Sequence, residues 1–181
     1  METSDEQRFT ELYREHHPAV DAYVRRRLDG SHAVDDVVAE VFLTAWRRWE
    51  DVPRDAALPW LYATGRRLMA NTRRSDQRRV NLVDAVGRQG SHRVEDHADT
   101  VAGQAAIAAA FDALREQDRE VLGLALWEGL TAGQGAKVLG CTTATFHVRL
   151  HRARARLRKH MDTTSADTVQ RALTTLGGAD A

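Results

Sequence analysis

The chain has 181 residues and equal numbers of basic and acidic side chains, with 26 Lys and Arg against 26 Asp and Glu. Its 43 % hydrophobic and 29 % charged content is ordinary for a globular protein. A single cysteine, Cys141, excludes an internal disulfide and indicates a reducing compartment. No apolar run approaches the ~18 residues of a membrane span, and the charged N-terminus is unlike a signal peptide. We therefore expect a cytoplasmic protein without membrane insertion.

The balance of charges conceals a strong segregation along the chain. Residues 1–40 hold ten acids and five arginines, residues 47–79 hold nine arginines, and residues 149–159 hold six basic residues and no acid. Blocks of this kind indicate one surface for phosphates and another for a protein partner. The alternative is that these runs are solvated helix faces, which the charge pattern alone does not exclude.

The first part of the chain, residues 8–78, has apolar residues at helical spacing. Two helical stretches lie on either side of His17-Pro18, where we predict a break or turn. A longer helix follows, because apolar residues recur at i, i+3, i+4 and i+7 over residues 34–49. Pro53 closes that helix, and a further helix begins near Pro59.

The rest of the chain divides into three segments. Residues 79–103 contain two glycines, few large apolar residues and no sustained period, which predicts a flexible linker. Residues 104–161 are helical again, whereas the small, polar residues 162–181 predict a flexible tail with at most one or two amphipathic turns. The predicted fold is all-α, with two small helical domains at 8–78 and 104–161.

The second domain ends in two predicted short helices joined by a turn. Ala136 is the small residue needed where the helices cross, and Gly140 accepts the positive φ of the turn. Thr131 can cap the first helix, and Thr142 or Thr143 the second. This spacing is typical of a helix-turn-helix, which places its second helix in the DNA major groove.

The second helix of this motif has one apolar face and one basic face. The face expected to pack contains Phe146, Leu150, Ala153 and Leu157. The DNA-binding residues predicted on the other face are Thr143, Thr145, His147, Arg149 and Arg152, with Arg156 and Lys159 also facing outward. Two alternatives stay open: a basic helix that binds a protein, and a metal held by His147 and His151, which lack a third ligand nearby.

A second basic surface is predicted in the first domain. Pro59-Trp60-Leu61-Tyr62 is followed by a run of arginines, and aromatic rings among arginines are typical of single-stranded nucleic-acid binding. The candidate residues are Trp60, Arg66, Arg67, Asn71, Arg73 and Arg74. The alternative is that Trp60 belongs to the core and that the arginines are only solvated.

Three segments of the chain resemble the extracytoplasmic-function (group 4) sigma factors of bacterial RNA polymerase, in the sigma-70 family. Region 2.2 of that family is similar to AVDDVVAEVFLTAWRRW at 33–49, and regions 2.3 and 2.4 are similar to LPWLYATGRRLMANTRRSDQRR at 58–79. Region 4 is similar to residues 114–161. The segments stand in the family's order and cover most of residues 8–161, with the linker in the expected place.

The resemblance implies a non-enzymatic promoter-recognition subunit that needs no cofactor or metal and is monomeric when free. Core RNA polymerase would be its partner, through the β′ clamp and the β flap, and the clamp positions match Asp36, Val37, Glu40 and Phe42. The Trp60 to Arg74 residues named above would open and read the −10 element, and the Thr143 to Arg152 residues would read the −35 element. The family also implies an anti-sigma factor that masks these surfaces.

The sequence departs from the family pattern at four places. Ala39 stands where Gln is usual, and Arg67 where Asn is frequent. Gln134-Gly135 replaces Glu-Ile, which predicts a loosened first helix in region 4, and His147-Val148 replaces Lys-Ser, so the −35 preference of relatives should not carry over.

Two other functions are compatible with parts of the sequence. A stand-alone helix-turn-helix regulator would use the apolar helix at 34–49 for a dimer or an effector pocket. A helical enzyme would place a metal on Asp35, Asp36 and Glu40, but no further carboxylate or His cluster completes such a site.

Overall fold

Helices make up all the regular structure of the described chain, which in this computed structural model comprises residues 2–28, 31–83 and 101–177. No β-strand occurs in these ranges, so the predicted all-α fold class is confirmed. The helices are α1 (Glu2–Arg25), α2 (Ser31–Arg47), α3 (Ala57–Val83), α4 (Val101–Asp112), α5 (Glu116–Leu126), α6 (Ala132–Leu139) and α7 (Thr143–Gly177). Two 3-10 turns, Trp49–Asp51 and Arg54–Ala56, lie between α2 and α3.

The first three helices pack against one another and form an N-terminal unit. Their facing positions are apolar at helical spacing, so each helix buries one stripe and leaves the other face to solvent. The buried residues include Val20, Tyr23 and Val24 of α1, Val34, Val37, Val38, Val41 and Phe42 of α2, and Leu61, Tyr62 and Met69 of α3. Burial of each large apolar side chain contributes about 1.5–3 kcal/mol.

Helix α1 continues through Pro18, so the break predicted at His17-Pro18 is wrong. Proline cannot donate a hydrogen bond to the carbonyl of Arg14, which normally costs a helix interior about 3 kcal/mol. Apolar residues on both sides of Pro18 pack on the same core, Leu12 in the first half and Val20 in the second. This shared core holds the two halves in one helix.

Helices α4, α5 and α6 pack against α7 and form a C-terminal unit. Its core contains Leu114, Val121, Leu122, Leu124, Ala136, Val138, Phe146, Leu150 and Ala153. Helix α7 runs on to Gly177, into the segment predicted as a flexible tail, because residues 143–176 contain no Gly or Pro. Helix α3 likewise enters the predicted linker, whose residues 84–100 lie outside the described chain, as do 178–181.

The two units touch each other. Helix α3 lies against α6, and the buried apolar residues of both units form one continuous cluster. No helix in the described ranges has the length and hydropathy that a membrane crossing needs.

Candidate nucleic-acid interface

The turn between α6 and α7 has the geometry of the predicted helix-turn-helix. Gly140 has φ +63°, in the left-handed region where glycine is favoured, and Ala136 is buried at the crossing. Thr131 and Gln134 form a capping box, in which the Thr131 hydroxyl accepts from the Gln134 N–H and the Gln134 side chain accepts from the Thr131 N–H. Gln134 therefore stabilises the start of α6.

Gly135 lies directly under the ring of Phe146. A Cβ atom at position 135 would lie 2.5 Å from Cζ of Phe146, closer than real contacts allow. The volume that an aliphatic side chain would fill at position 135 is filled instead by the Phe146 ring, which is fully buried. The prediction that Gln134 and Gly135 loosen α6 is therefore wrong, because one residue caps the helix and the other admits the ring.

The first turns of α7 present the predicted −35 residues. Thr142 precedes the helix, and its hydroxyl accepts a hydrogen bond from the Thr145 N–H at 3.1 Å, so Thr142 rather than Thr143 acts as the cap. The side chain of Thr145 is half-buried and bonded to Thr142, whereas the other four predicted residues are exposed. These four are Thr143, His147, Arg149 and Arg152.

Arg156 differs from the other basic residues of α7. Its guanidinium donates to both oxygens of Asp118, at 2.7 and 2.8 Å, and only 9 % of the Asp118 side chain is exposed. Arg156 faces outward as the sequence predicts, with 47 % of its side chain exposed, and its guanidinium reaches the Asp118 carboxylate of α5. The ion pair therefore links α7 to α5 within the C-terminal unit.

The candidate −10 residues of α3 line a cleft between the two units. Arg66, Arg67, Asn71, Arg73 and Arg74 form one wall, and Phe111, Asp112, Glu116, Arg119 and Trp127 belong to the other. The cleft has a volume of about 380 Å³. Trp60 is half-buried against the core, in accordance with the alternative considered for it, and is not among the cleft residues.

Ion pairs cross the same cleft. Arg27 donates to Glu120 at 2.7 Å and to Glu128 at 3.0 Å, and Arg26 donates to Glu128 at 2.6 Å. The Tyr23 hydroxyl donates to Glu120 at 3.0 Å, and the Arg27 guanidinium lies 3.8 Å from the Tyr23 ring centroid. These residues belong to no recognisable motif, and the two partners of each ion pair are about a hundred positions apart. The sequence therefore contains no indication that they would pair.

The predicted polymerase-docking residues of α2 divide between the surface and the core. Asp36 is exposed and Glu40 partly exposed, but Val37 and Phe42 are 6 % and 3 % exposed because helical spacing turns them inward. Val37 therefore presents almost no surface to a partner in this structure. Phe42 forms the floor of an apolar groove between α1 and α2.

The rim of this groove contains exposed apolar residues that the sequence analysis missed. Tyr13, Leu43 and Trp46 are 41 %, 40 % and 42 % exposed, and Trp46 packs edge-on against Phe9. Leu43 and Trp46 lie on the same face of α2 as Ala39 and Glu40. Trp46 belongs to the i, i+3, i+4, i+7 apolar pattern of residues 34–49, and only the packing of α1 shows that its side chain remains accessible.

Two buried tyrosines connect the core to the inter-unit ion pairs. Burial, followed by the nearby Glu128 carboxylate, raises the pKa of Tyr62 to about 12. Burial and the Glu120 carboxylate raise the pKa of Tyr23 well above 10. Their rings stack with centroids 4.5 Å apart, so both phenols favour the neutral form in the folded protein.

We expect folding stability to fall as the pH rises from 10 to 12. A tyrosine with a raised pKa binds its proton more tightly in the folded than in the unfolded chain, so its contribution is complete below pH 10 and lost as pH rises through the folded pKa of about 12. Urea unfolding across this range measures the effect. Tyr62→Phe should weaken the dependence of unfolding free energy on pH and remove the rise in phenolate absorbance near pH 12. An unchanged rise would contradict the assignment of this pKa to Tyr62.

Within the described residues, no three His, Cys, Asp or Glu side chains are grouped as metal ligands. His147 and His151 therefore have no third ligand among these residues.

Comparison with known proteins assigns the two units to one family. A model of sigma-70 region 2 matches residues 12–79, and a model of sigma-70 region 4 matches residues 104–157. The RNA polymerase sigma-E factor of Streptomyces antibioticus is 32 % identical over 133 residues, which cover 73 % of this chain and 72 % of the relative. The ECF RNA polymerase sigma factor BldN of Streptomyces coelicolor is 27 % identical over 151 residues, or 80 % of this chain and 57 % of BldN.

A solved structure shows the same fold. The sigma factor RpoE of Bartonella quintana, crystallised with the anti-sigma factor NepR, superposes with a TM-score of 0.70 at 21 % identity, covering 86 % of this chain and 98 % of that one. Both family models match in the expected order, and together they span more than half of the sequence. The chain belongs to the extracytoplasmic-function sigma factors of the sigma-70 family.

Proposed function

We propose that this sigma factor reads the −35 element with α7 and the −10 element with α3, and that it helps to open the duplex, while α2 docks on core RNA polymerase. The family acts in promoter-specific transcription initiation. The finer proposal rests on three surfaces of the protein. Each unit presents one basic helix face, on α3 and on α7, and the apolar groove between α1 and α2 is left uncovered by both units.

The α7 surface has the composition expected for duplex recognition. Thr143 and His147 lie in the first turns, where helix-turn-helix proteins reach base edges, and Arg149 and Arg152 follow on the exposed side. Exposed guanidiniums can contact guanine or phosphate in a bidentate manner. The buried stripe below them fixes the direction in which these side chains project.

The α3 surface has the composition expected for an opened strand. Arg66, Arg67 and Arg74 are exposed, with Asn71 among them, and the aromatic pair Phe111 and Trp127 faces them across the cleft. Guanidiniums pair with phosphates, and amide and aromatic groups suit unpaired bases. Melting would then follow from capture of the separated strand.

The α2 groove has the composition expected for a protein partner. Its apolar rim is flanked by Glu6, Asp36 and Glu40, so its partner should combine an apolar ridge with basic residues. We assign this groove to the β′ clamp, with Asp36 and Glu40 as peripheral contacts. An anti-sigma factor, of the kind bound to RpoE of Bartonella quintana, would compete for the same surfaces.

Replacement of Leu43 and Trp46 by serine should weaken binding to core polymerase by at least about tenfold, because large exposed anchors dominate interfaces. Both side chains are about 40 % exposed, so the fold should persist. Fluorescence anisotropy of labelled sigma factor with the host's core polymerase measures the affinity. The matched control replaces Ile107 and Leu126, which are equally apolar and more exposed but lie in the other unit. Equal losses in both variants would remove the groove from the proposal.

The proposal as a whole is tested by comparing three binding reactions on one fragment of genomic DNA: sigma factor alone, core polymerase alone and both together. We expect specific protection of two spaced elements only when both proteins are present. Tight, specific binding by the isolated chain, unchanged by polymerase, would support a stand-alone helix-turn-helix regulator instead.

A further inference from the structure

The cleft lined by α3 and α5 contains more positive charge than its own carboxylates neutralise. Among the described residues, seven arginines and three carboxylates line its volume of about 380 Å³. Three of these arginines have carboxylate partners across the cleft, namely Arg26, Arg27 and Arg73. In the described ranges no ion pair involves three others, which are Arg66, Arg67 and Arg119.

Two of the arginines outside the ion pairs are oriented by backbone carbonyls. Nε of Arg67 donates to the Ala63 carbonyl at 3.1 Å, and one Nη atom of Arg119 donates to the Asp112 carbonyl at 2.8 Å. A neutral carbonyl holds a guanidinium in place without cancelling its charge, so the remaining N–H groups can bind an anion. Because Arg67 belongs to α3 and Arg119 to α5, each wall of the cleft contributes such a group.

An aromatic pair lies beside these arginines. Phe111 and Trp127 line the same cleft, and their ring centroids are 4.7 Å apart with an interplanar angle of 54°. Trp127 is 47 % exposed, so part of its indole is open to a ligand. A Cβ at Gly123 would lie 3.3 Å from the indole, which shows that the ring packs closely on α5.

Two more polar groups of the cleft have hydrogen-bonding capacity. Nε of Arg26 is buried and has no acceptor among the described residues, although one of its Nη atoms binds Glu128 at 2.6 Å. A buried donor without an acceptor is unfavourable, so an oxygen atom entering the cleft beside it would be stabilised. Oδ1 of Asn71 accepts from Arg74 at 2.6 Å, which leaves the Asn71 amide N–H groups for the edge of a ligand.

We propose that this cleft binds one nucleoside di- or triphosphate, with the phosphates on Arg66, Arg67 and Arg119 and the base against Trp127. Guanidiniums bind phosphate oxygens in bidentate geometry, and aromatic rings stack on bases of every kind. Pockets for single small molecules measure about 300–1,000 Å³, so the cleft has the size of one nucleotide. This ligand goes beyond promoter recognition, and its binding requires neither polymerase nor promoter DNA.

Isothermal titration calorimetry of the full chain with ATP, GTP, CTP and UTP tests the site. We expect at least one of these triphosphates to bind saturably at one equivalent per chain. Pyrophosphate should bind at least about tenfold more weakly than that triphosphate, because it lacks the stacked base. The matching nucleoside should also bind at least about tenfold more weakly, because it lacks the phosphates.

Two variants each remove one part of the site. Trp127→Leu should weaken the triphosphate by about tenfold and leave pyrophosphate unchanged. Arg66→Ala with Arg67→Ala should weaken both ligands, and both side chains are exposed, so the fold should persist. The matched control, Arg154→Ala with Arg158→Ala, removes the same charge from exposed positions of α7 and should change neither affinity.

A conservative replacement separates stacking from a structural effect of Trp127. Trp127→Phe keeps an aromatic ring and should retain most of the triphosphate affinity, whereas circular dichroism should show wild-type helix content for both Trp127 variants. Equal losses in the leucine and phenylalanine variants would remove the stacking role and with it the proposal.

Three other results would also overturn the nucleotide site. The first is the absence of saturable binding by all four triphosphates. The second is equal affinity for pyrophosphate and the triphosphates, and the third is an equal loss in the Arg154 and Arg158 control. Either of the last two would show that positive charge alone attracts anions to this protein. Transcription with core polymerase does not depend on any of these results, so the proposed promoter function is tested separately.

Discussion

Replacement of Gly135 by alanine is expected to destabilise the C-terminal unit by about 1–3 kcal/mol, as overpacking of a filled core usually does. The added Cβ would lie 2.5 Å from Cζ of Phe146, whose ring is fully buried. Alanine is more favourable than glycine in a helix interior by about 1 kcal/mol, so a net loss of stability requires the steric clash to cost more than this gain. Urea denaturation monitored by circular dichroism measures the difference.

The same helix provides a matched control. A Cβ at Gly133, two residues earlier in α6, would meet nothing within 4 Å, so Gly133→Ala should be neutral or stabilise by up to about 1 kcal/mol. Phe146→Leu added to Gly135→Ala should recover part of the loss, because the smaller side chain leaves room for the methyl group. Equal effects of the two glycine replacements would show that Gly135 is not required for packing.

Replacement of Arg149 and Arg152 by alanine is expected to lower transcription from −35-dependent promoters by at least about thirtyfold, if the two contacts together contribute 2 kcal/mol or more. Both residues are exposed on α7, next to the buried stripe that orients them. The folded state should be unaffected, since neither side chain contributes to the core. Transcript yield with reconstituted holoenzyme measures the loss.

The control for this experiment removes the same charge from the same helix. Arg154 and Arg158 are also exposed and lie on the same side of α7 as Thr143 and His147, but further from the N-terminal turns that reach base edges. Their replacement by alanine should change yield by less than about threefold, as expected for loss of long-range attraction alone. A similar loss in both variants would mean that α7 acts through its charge and does not read DNA in this orientation.

The parts of the structure that sequence predicts well are those set by local chemistry. Thr131 caps α6 and Gly140 adopts the positive φ of the turn, as predicted. Both roles depend only on residues nearby in the sequence. The buried stripe of α7 follows from helical periodicity, and Phe146, Leu150 and Ala153 are buried as predicted. These features need no knowledge of how distant segments pack.

The parts that sequence misses depend on tertiary contacts. Arg156 is exposed like its basic neighbours and has the same local pattern, and only the position of Asp118 on α5 gives it an ion-pair partner. Glycine is unfavourable within a helix, and only the contact between Gly135 and the Phe146 ring explains why this position has no side chain. Arg27 and its partner Glu128 are separated by about a hundred residues. No periodicity or motif encodes contacts of this kind.

The most direct test of the central claim is run-off transcription from genomic DNA with the host's core polymerase, with and without this protein, followed by mapping of the start sites. The proposed function predicts new transcripts whose upstream sequences share two elements at fixed spacing. It also predicts that the Arg149 and Arg152 variant loses the transcripts that depend on the upstream element. The absence of transcripts above those of core polymerase alone would contradict the assignment of the two helix faces to promoter recognition.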